Sequence, residues 1–209
     1  MNEKKRLREF IWKEMEKRKI ARFPGAANRI PNFVGSEKAA VNVRNLEMWK
    51  RAKIVAANPD FAQRPLREFA LRDGKTLIMA TPKLKNGYLL IKPENVKGRE
   101  RYASTIKGAF VYGKKIAVHA LPKPDLIITG CVAVDVRGNR LGKGGGYGDR
   151  EISFFQKKFG KVPVITTVHE MQIVEDVPHE AHDTKVDIIV TPERVIEIHP
   201  HQFAAGTRG

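Results

Sequence analysis

The sequence of 209 residues predicts an α/β domain with a largely parallel central sheet. Short runs of β-branched and other apolar residues recur from about residue 53 onward. Segments with apolar residues at helical spacing separate these runs. Strands that are apolar throughout, and that alternate with helices, are typical of parallel sheets covered by helices on both faces.

The first 50 residues are predicted to form a helical arm. Residues 2–21 have one apolar helical face, made by Leu7, Phe10, Ile11 and Met15. The segment 22–35 is rich in proline, glycine and asparagine, which indicates a loop. Ser36 is then expected to cap a second helix.

After the arm, the chain alternates between predicted strands and helices. Strands are predicted at 53–57, 76–80, 87–91, 125–129, 131–135, 162–168, 186–190 and 195–198. Helices are predicted at 65–72, 99–112 and 148–159. Residues 1–200, with the arm at 1–50, are expected to form one domain, and 201–209 a frayed tail.

The composition favours anionic partners. Lys and Arg number 39 against 23 Asp and Glu, which gives a net charge of +16. Such an excess suits nucleotides, phosphorylated or polyglutamylated metabolites, or nucleic acid, and a solvated basic surface is the alternative. Nucleic acid is possible but not favoured, because the sequence has neither zinc-finger spacing nor an aromatic RNA-binding signature.

Cysteine content and hydropathy exclude other classes. Cys131 is the single cysteine, so an internal disulfide and a cysteine-rich zinc site are both excluded. A reducing, cytoplasmic location is the expectation. No apolar stretch approaches the roughly 20 residues that span a membrane, and no membrane partner is expected.

The glycine-rich segment 138–149 is the strongest chemical feature of the sequence. Five glycines lie within 142–148, three of them consecutive. Their amides can converge on an anion and they tolerate positive φ, while the following helix points its positive dipole end at the same place. Arg140 and Lys143 add two cations. The spacing matches neither a Walker A loop nor the dinucleotide fingerprint, so the alternatives are another kind of phosphate loop and a flexible glycine hairpin.

Four segments together resemble a known family. Gly138-Asn-Arg-Leu-Gly-Lys-Gly-Gly-Gly-Tyr147, followed by Asp149, is similar to the signature of 5-formyltetrahydrofolate cyclo-ligases. The segment 125–135 resembles the strand and turn leading into that signature, and 182–187 resembles the family's closing motif. Lys4-Lys-Arg-Leu-Arg8 resembles its Lys-x-x-Leu-Arg start.

This resemblance implies both a fold and a reaction. The fold is three-layer α/β/α with a largely parallel sheet, similar to sugar-phosphate isomerase and coenzyme A transferase domains, with the cleft at the carboxyl ends of the strands. The reaction uses ATP and Mg²⁺ to convert 5-formyltetrahydrofolate to 5,10-methenyltetrahydrofolate, and it releases ADP and phosphate. A reduced folate or related pterin and ATP are the implied small-molecule partners.

The resemblance also implies roles for individual residues. Catalysis falls to Arg140, Lys143 and Tyr147. Nucleotide binding falls to Lys4, Arg8, Arg140, Gly142, Lys143, Gly144, Gly145, Gly146 and Tyr147. Asp149 and Asp183 are implied to hold Mg²⁺. Structural alternatives are a solvated helix face for Lys4 and Arg8, a core position for Tyr147, a helix cap for Asp149 and a turn for Asp183.

The sequence departs from the family on the folate side. Gly148 stands where the family has a second tyrosine, and the segment 58–64 lacks the expected glutamate. The expected central tryptophan is missing too, so Phe61 or Tyr88 would have to supply an apolar wall. Two alternatives follow: an ATP-using enzyme of the same fold acting on a different pterin or formylated metabolite, and a catalytically inactive basic protein that binds nucleotides or nucleic acid.

Overall fold

The structure is a computed structural model that describes residues 2–198. In chain order, its strands are β1 (Ala21–Arg22), β2 (Asn32–Phe33), β3 (Ile54–Ala57), β4 (Thr76–Ala80), β5 (Tyr88–Ile91), β6 (Lys114–Ile116), β7 (Leu126–Thr129), β8 (Ala133–Asp135), β9 (Arg140–Leu141), β10 (Val164–Thr167), β11 (Ile173–Val174), β12 (Ile188–Val190) and β13 (Val195–Glu197). Its α-helices are α1 (Glu3–Lys17), α2 (Ser36–Arg44), α3 (Glu47–Arg51), α4 (Arg64–Arg72), α5 (Glu100–Ala103), α6 (Ile106–Tyr112) and α7 (Tyr147–Phe159).

The central sheet confirms the predicted α/β class. It has eight strands in the order β13-β12-β10-β7-β3-β4-β5-β6. The inner strands, from β12 to β4, pair in parallel, and β13, β5 and β6 join antiparallel. Among the described residues, β1 and β2 form a separate pair, and β8, β9 and β11 form a small second sheet.

Both faces of the central sheet are buried, as its apolar strands require. In β4, Leu77 and Met79 belong to one apolar core, whereas Ile78 belongs to the other. Helices α2 and α4 cover the first face, and α7 covers the second with Ile152 and Phe155. A third core, around Ile11 and Met15, fixes α1 against the small sheet.

The predicted strand 131–135 does not join the central sheet. Strand β7 ends at Thr129, and Gly130 turns the chain into close contact with neighbouring side chains, because a Cβ atom there would lie 2.4 Å from Ile30 and 2.7 Å from Gln63. Only Ala133–Asp135 is extended, and it pairs with β9 and β11. An apolar run shows that a strand is buried but not which sheet buries it.

Several local predictions were wrong. Ser36 is the first residue of α2, and Gly35 before it has the left-handed backbone of the cap, with φ 89°. The predicted helix 99–112 is two helices, because the Thr105 side chain accepts from the Gly108 amide and starts α6 afresh. Strand β1 begins at the last residue of the predicted helix 2–21, β2 lies in the predicted loop 22–35, and β6, β9 and β11 were missed.

The remaining boundaries agree within a few residues, although α1 ends at Lys17 rather than at residue 21. The single domain over 1–200 stays a prediction, and the predicted tail at 201–209 lies outside the described residues. In the part of the chain that the structure describes, no helix is long and apolar enough to cross a membrane.

Candidate functional site

The glycine loop, residues 142–148, requires glycine at three of its positions. Gly144 has φ 109° and Gly146 has φ 67°, both in the left-handed region that side chains disfavour. A Cβ atom on Gly145 would lie 2.6 Å from the Tyr147 ring. Gly146 is also the residue at which α7 begins, so the loop presents the positive end of this helix.

Arg150 braces the loop and was missed by the sequence analysis. Its guanidinium donates hydrogen bonds to the carbonyl of Gly145, at 2.8 Å, and to that of Gly146, at 3.3 Å. The same group stacks over the Tyr147 ring, 4.4 Å from its centroid. Arg150 therefore fixes both the loop backbone at Gly145 and Gly146 and the position of the Tyr147 ring.

The N-terminal helix α1 packs directly against the glycine loop. Arg8 Nε donates to the Gly142 carbonyl at 2.7 Å, and its guanidinium lies beside Gly144. Lys4 Nζ lies 2.6 Å from an Asp183 carboxylate oxygen and 3.2 Å from one of Glu180. Both basic side chains are half-buried, so the alternative of a freely solvated helix face is wrong.

The two predicted metal carboxylates are each held by cations and amides. Asp149 Oδ1 accepts from Arg140 at 2.9 Å and from the Thr184 hydroxyl at 2.7 Å. Asp183 Oδ2 accepts from Lys4 and from the Glu180 amide. Burial opposes ionisation of Asp183, but these two hydrogen bonds outweigh it and hold the pKa of that carboxyl below its ordinary value.

Two cavities adjoin the glycine loop and share part of its lining. The larger, here called the basic cavity, has a volume of about 640 Å³, and helix α1, the loop and Asp183 contribute to its walls. The smaller, the inner cavity, has a volume of about 290 Å³ and lies beyond the carboxyl ends of β3, β4 and β7. This position is the one predicted for the cleft. Both cavities are lined by Arg140, Gly142, Gly146 and Asp149.

The structure divides the predicted site residues between these cavities. The basic cavity is lined by Lys4, Arg8, Arg140, Gly142, Gly144, Gly146, Asp149 and Asp183. The inner cavity also receives Lys143, Gly145 and Tyr147. Tyr147 faces the cavity half-buried, so the alternative of a core tyrosine is wrong.

The residues of the basic cavity fit a magnesium–nucleotide complex. Asp149 and Asp183 each use one named carboxylate oxygen for the bonds described above, and both side chains line the same wall. A carboxylate has further lone pairs on its second oxygen. Mg²⁺ typically takes one or two carboxylates together with phosphate oxygens and waters, and this is the donor set that Asp149 and Asp183 would complete.

The inner cavity contains two acids that the sequence analysis missed, a buried glutamate and a half-buried aspartate. Glu151, on α7, is 5% exposed. Burial is the main cause that raises the pKa of Glu151 to about 8, and the negative charge of nearby Asp60 contributes to the same rise. Asp60 lies in the segment 58–64, and its carboxylate is 3.6 Å from Lys143 Nζ. Burial raises the pKa of Asp60 above its ordinary value in spite of Lys143. A charged residue within the buried face of an amphipathic helix was the available signal for Glu151.

The structure shows where the positions that depart from the family signature lie relative to the inner cavity. A Cβ atom on Gly148 would lie 2.8 Å from a terminal nitrogen of Arg140. The Arg140 guanidinium therefore occupies the space that a side chain at position 148 would need. Phe61 lines the cavity, as expected for an apolar wall. Tyr88 does not line it, because its ring packs against Phe154 and Phe155 in the core.

The fold and the site define an α/β protein whose glycine loop lines both a basic cavity and an inner cavity. Comparison with known proteins identifies the family: the model of the 5-formyltetrahydrofolate cyclo-ligase family matches residues 1–192. The chain therefore belongs to this family.

Relatives match over most of this chain but over part of their own length. A methenyltetrahydrofolate synthase domain-containing protein of Bos taurus is 38% identical over 204 residues, which cover 92% of this chain and 53% of that protein. Its Homo sapiens counterpart is 37% identical, with the same two coverages of 92% and 53%. The 5-formyltetrahydrofolate cyclo-ligase of Escherichia coli (strain K12) is 39% identical over 77 residues, 37% of this chain and 41% of that enzyme. This chain thus spans about half the length of the first two relatives.

Solved structures support the fold. The NMR structure of a 5,10-methenyltetrahydrofolate synthetase from Aquifex aeolicus matches with a TM-score of 0.59 at 25% identity, covering 96% of this chain and 98% of that one. A 5,10-methenyltetrahydrofolate synthetase from Mycoplasma pneumoniae matches with a TM-score of 0.55 at 15% identity, over 95% and 100% of the two chains. At that identity the second likeness concerns the fold alone.

Proposed function

We propose that this protein is an ATP- and Mg²⁺-dependent cyclo-ligase that converts 5-formyltetrahydrofolate to 5,10-methenyltetrahydrofolate, with release of ADP and phosphate. The observation that carries the proposal is that two cavities share the glycine loop and Arg140 as lining. A phosphate bound in the basic cavity would therefore lie next to a small molecule bound in the inner cavity. Family membership supports the same reaction.

The reaction proceeds in two displacements. The formyl oxygen on N5 attacks the γ-phosphorus of ATP, the bond from phosphorus to the bridging oxygen breaks, and ADP leaves. N10 then attacks the activated formyl carbon, its proton is lost, and the carbon–oxygen bond breaks to release phosphate. The first step needs alignment and charge neutralisation more than proton transfer.

The basic cavity would supply this neutralisation. The amides of the glycine loop and the N-terminus of α7 stabilise phosphate oxygens. Lys4 and Arg8 bring positive charge from α1, and Arg140 brings it from β9. Mg²⁺ bound by Asp149 and Asp183 would add charge neutralisation on the phosphates.

The inner cavity would bind the pterin ring and the formyl group of 5-formyltetrahydrofolate. Lys143 and Tyr147 line it at its border with the loop, next to the position that the formyl group would take. Phe61 and Leu84 offer apolar contacts to a planar ring. We propose a cytoplasmic location for this small-molecule reaction.

The direct test is an absorbance assay with the purified chain. Addition of 5-formyltetrahydrofolate, ATP and Mg²⁺ is expected to give the near-ultraviolet absorbance of the methenyl product, and omission of ATP or Mg²⁺ is expected to abolish it. Asp149→Ala and Asp183→Ala are expected to remove the dependence of ATP binding on Mg²⁺. A folded protein that binds ATP but gives no absorbance gain would contradict the proposed reaction.

A second candidate is an ATP-using enzyme of the same fold with a different pterin or formylated substrate. The observation that favours it is the pair of acids in the inner cavity, half-buried Asp60 and buried Glu151, together with Gly148. Formylated substrates other than 5-formyltetrahydrofolate that stimulate ADP release would support this candidate. An inactive basic protein that binds nucleotides or nucleic acid is the weakest candidate, because it gives no role to the Asp149 and Asp183 carboxylates that line the basic cavity.

A further inference from the structure

The inner cavity has three buried polar atoms that lack a hydrogen-bond partner among the described residues. They are Asn58 Oδ1, Arg140 Nε and Glu151 Oε1. Their residues are only 7%, 5% and 5% exposed, and all three line this one cavity. Buried polar atoms are nearly always paired, so three orphans around one cavity indicate a ligand that pairs with them.

These three residues are positioned by contacts of their backbone or of their other side-chain atoms. The Asn58 backbone carbonyl accepts from buried Arg67 at 2.8 Å, and its side-chain Nδ2 lies 3.5 Å from the Thr129 hydroxyl. Arg140 NH2 is bound to Asp149 at 2.9 Å, and NH1 lies 3.4 Å from the Gly130 carbonyl. Glu151 is a buried residue of α7. The orphan atoms therefore belong to the buried wall of the cavity and not to exposed side chains.

The orphan set has a defined hydrogen-bonding polarity. The carbonyl oxygen of Asn58 accepts and Arg140 Nε–H donates. Glu151 accepts at its unprotonated oxygen, because a carboxyl group keeps an acceptor oxygen in either protonation state. A complementary ligand edge presents two donors and one acceptor. The edge of a 2-amino-4-oxopyrimidine ring has this composition, with its exocyclic amine, its ring N–H and its carbonyl.

The rest of the cavity suits a flat bicyclic ring. Apolar side chains line it, including Ile30, Phe61 and Leu84. Its volume of about 290 Å³ is near the lower end of small-molecule sites, which suits a ring system more than a whole nucleotide. Two ligand sources carry the required edge, namely a reduced pterin and a guanine base.

We propose that Asn58, Arg140 and Glu151 form a specificity subsite for the 2-amino-4-oxopyrimidine edge of a pterin, with Glu151 as the residue that selects the 2-amino group. This inference deepens the proposed function and rests on it for the choice of a pterin over guanine. Glu151 occupies the second position after Asp149 in the loop signature. The subsite would thus tie recognition of the ring to the segment that binds phosphate.

Ring analogues that invert contacts of this edge provide the test. Isothermal titration calorimetry would compare pterin with lumazine, in which the 2-amino group becomes an oxygen. It would also compare pterin with 2,4-diaminopteridine, in which the 4-oxo group becomes an amine and N3 changes from donor to acceptor. Each inversion leaves a buried group mispaired, which costs about tenfold or more in affinity. Guanosine tests the purine source.

Three variants locate the effect. Glu151→Leu is expected to weaken pterin binding about tenfold and to remove the preference over lumazine. Glu151→Gln, which keeps the shape and offers an N–H, is expected to bind lumazine better than the wild type does and to raise KM more than it lowers kcat. Glu94→Gln, an exposed acid outside the cavity, is the matched control and is expected to change nothing.

The outcomes separate this inference from the proposed function. Equal binding of pterin and lumazine by the wild type, or an unchanged preference in folded Glu151→Gln, would overturn the subsite. A Glu151-dependent pterin preference without methenyl formation would support the subsite and contradict the reaction. Tightest binding of guanosine would overturn the assignment to a pterin. Circular dichroism of each variant distinguishes lost binding from lost folding.

Discussion

The two cavities beside the glycine loop are built in different ways. The basic cavity is formed by backbone amides and by long cationic side chains, of which Lys4 and Arg8 arrive from the first helix. The inner cavity combines apolar walls with buried polar groups such as Asn58 and Glu151. The first arrangement suits any polyphosphate, because amides and point charges do not read a ligand's shape. The second suits a particular ring, because buried donors and acceptors reject the wrong partner.

Arg140 belongs to both cavities, so its removal is expected to have the largest effect. Arg140→Ala deletes the partner of Asp149 and the donor toward the inner cavity. We expect kcat/KM to fall at least about 100-fold, with affinity lost for both ATP and the formyl substrate. Steady-state kinetics and calorimetry would measure this.

Arg51→Ala, an exposed arginine at the end of α3, is the control and is expected to retain full activity. Loss of affinity for one ligand alone in folded Arg140→Ala would show that the guanidinium serves a single cavity. Arg140→Lys keeps the charge but not the planar fork, and it would separate the two contributions.

Arg8 belongs to the basic cavity alone, so its removal is expected to separate the two sides. Arg8→Ala deletes the hydrogen bond to the Gly142 carbonyl and a cation beside Gly144. We expect KM for ATP to rise about tenfold and KM for the formyl substrate to stay within about twofold, because a charged hydrogen bond contributes about 1.5–3 kcal/mol.

Lys5→Ala is a matched control on the same helix. The Lys5 side chain is 65% exposed and lies 3.9 Å from Glu9, outside the basic cavity. Lys5→Ala is expected to leave the KM for ATP and the KM for the formyl substrate unchanged. An equal rise in ATP KM for Lys5→Ala and Arg8→Ala would mean that only the general positive potential of α1 matters.

Asp135 holds the turn at 135–139 that precedes β9 and the glycine loop, and it is expected to act on stability. Its fully buried carboxylate accepts from Asn139 and from the backbone amides of Arg137 and Val177. Burial opposes its ionisation, yet these hydrogen bonds hold its pKa below the ordinary value. Asp135→Asn turns an amide toward these donors, and we expect it to lower the free energy of unfolding by about 1–3 kcal/mol at pH 7.

The pH dependence of that loss follows from the direction of the pKa shift. A depressed folded-state pKa stabilises the fold above the unfolded pKa of about 3.9, and the stabilisation is lost as pH falls through the folded pKa. Denaturant titrations of wild type and Asp135→Asn should therefore differ most near neutrality and least in acid. Asp176→Asn, whose side chain is 67% exposed, is the control and should change stability by under about 1 kcal/mol. A difference that does not vary with pH would contradict the assigned role.

The contrast between the cavities also explains what the sequence could predict. The glycine loop was predicted because its residues are contiguous and glycine has few other reasons to cluster. Lys4, Arg8 and Asp183 required the family resemblance, because nothing in their spacing shows that they meet. Asn58 and Glu151 were missed because they come from β3's end and from α7, and the chain brings them together only after the sheet has formed.

The same limit applies to the fold. The apolar runs at 53–57 and 76–80 predicted parallel central strands, because alternation with helices leaves few other arrangements. The run at 131–135 is similarly apolar, but it follows Gly130, which packs closely against Ile30 and Gln63, and it joins another sheet. Ile30 and Gln63 are distant from Gly130 in the chain, so this packing leaves no local sequence pattern, as expected for tertiary control of strand pairing.

The position of Arg140 has a thermodynamic consequence. One planar group is bound to Asp149 at the basic cavity and presents Nε to the inner cavity. A ligand that shifts this guanidinium from one side changes its geometry on the other. Occupancy of the two cavities is therefore expected to be linked, and linkage is reciprocal: the factor by which ATP alters affinity for the pterin equals the factor by which the pterin alters affinity for ATP.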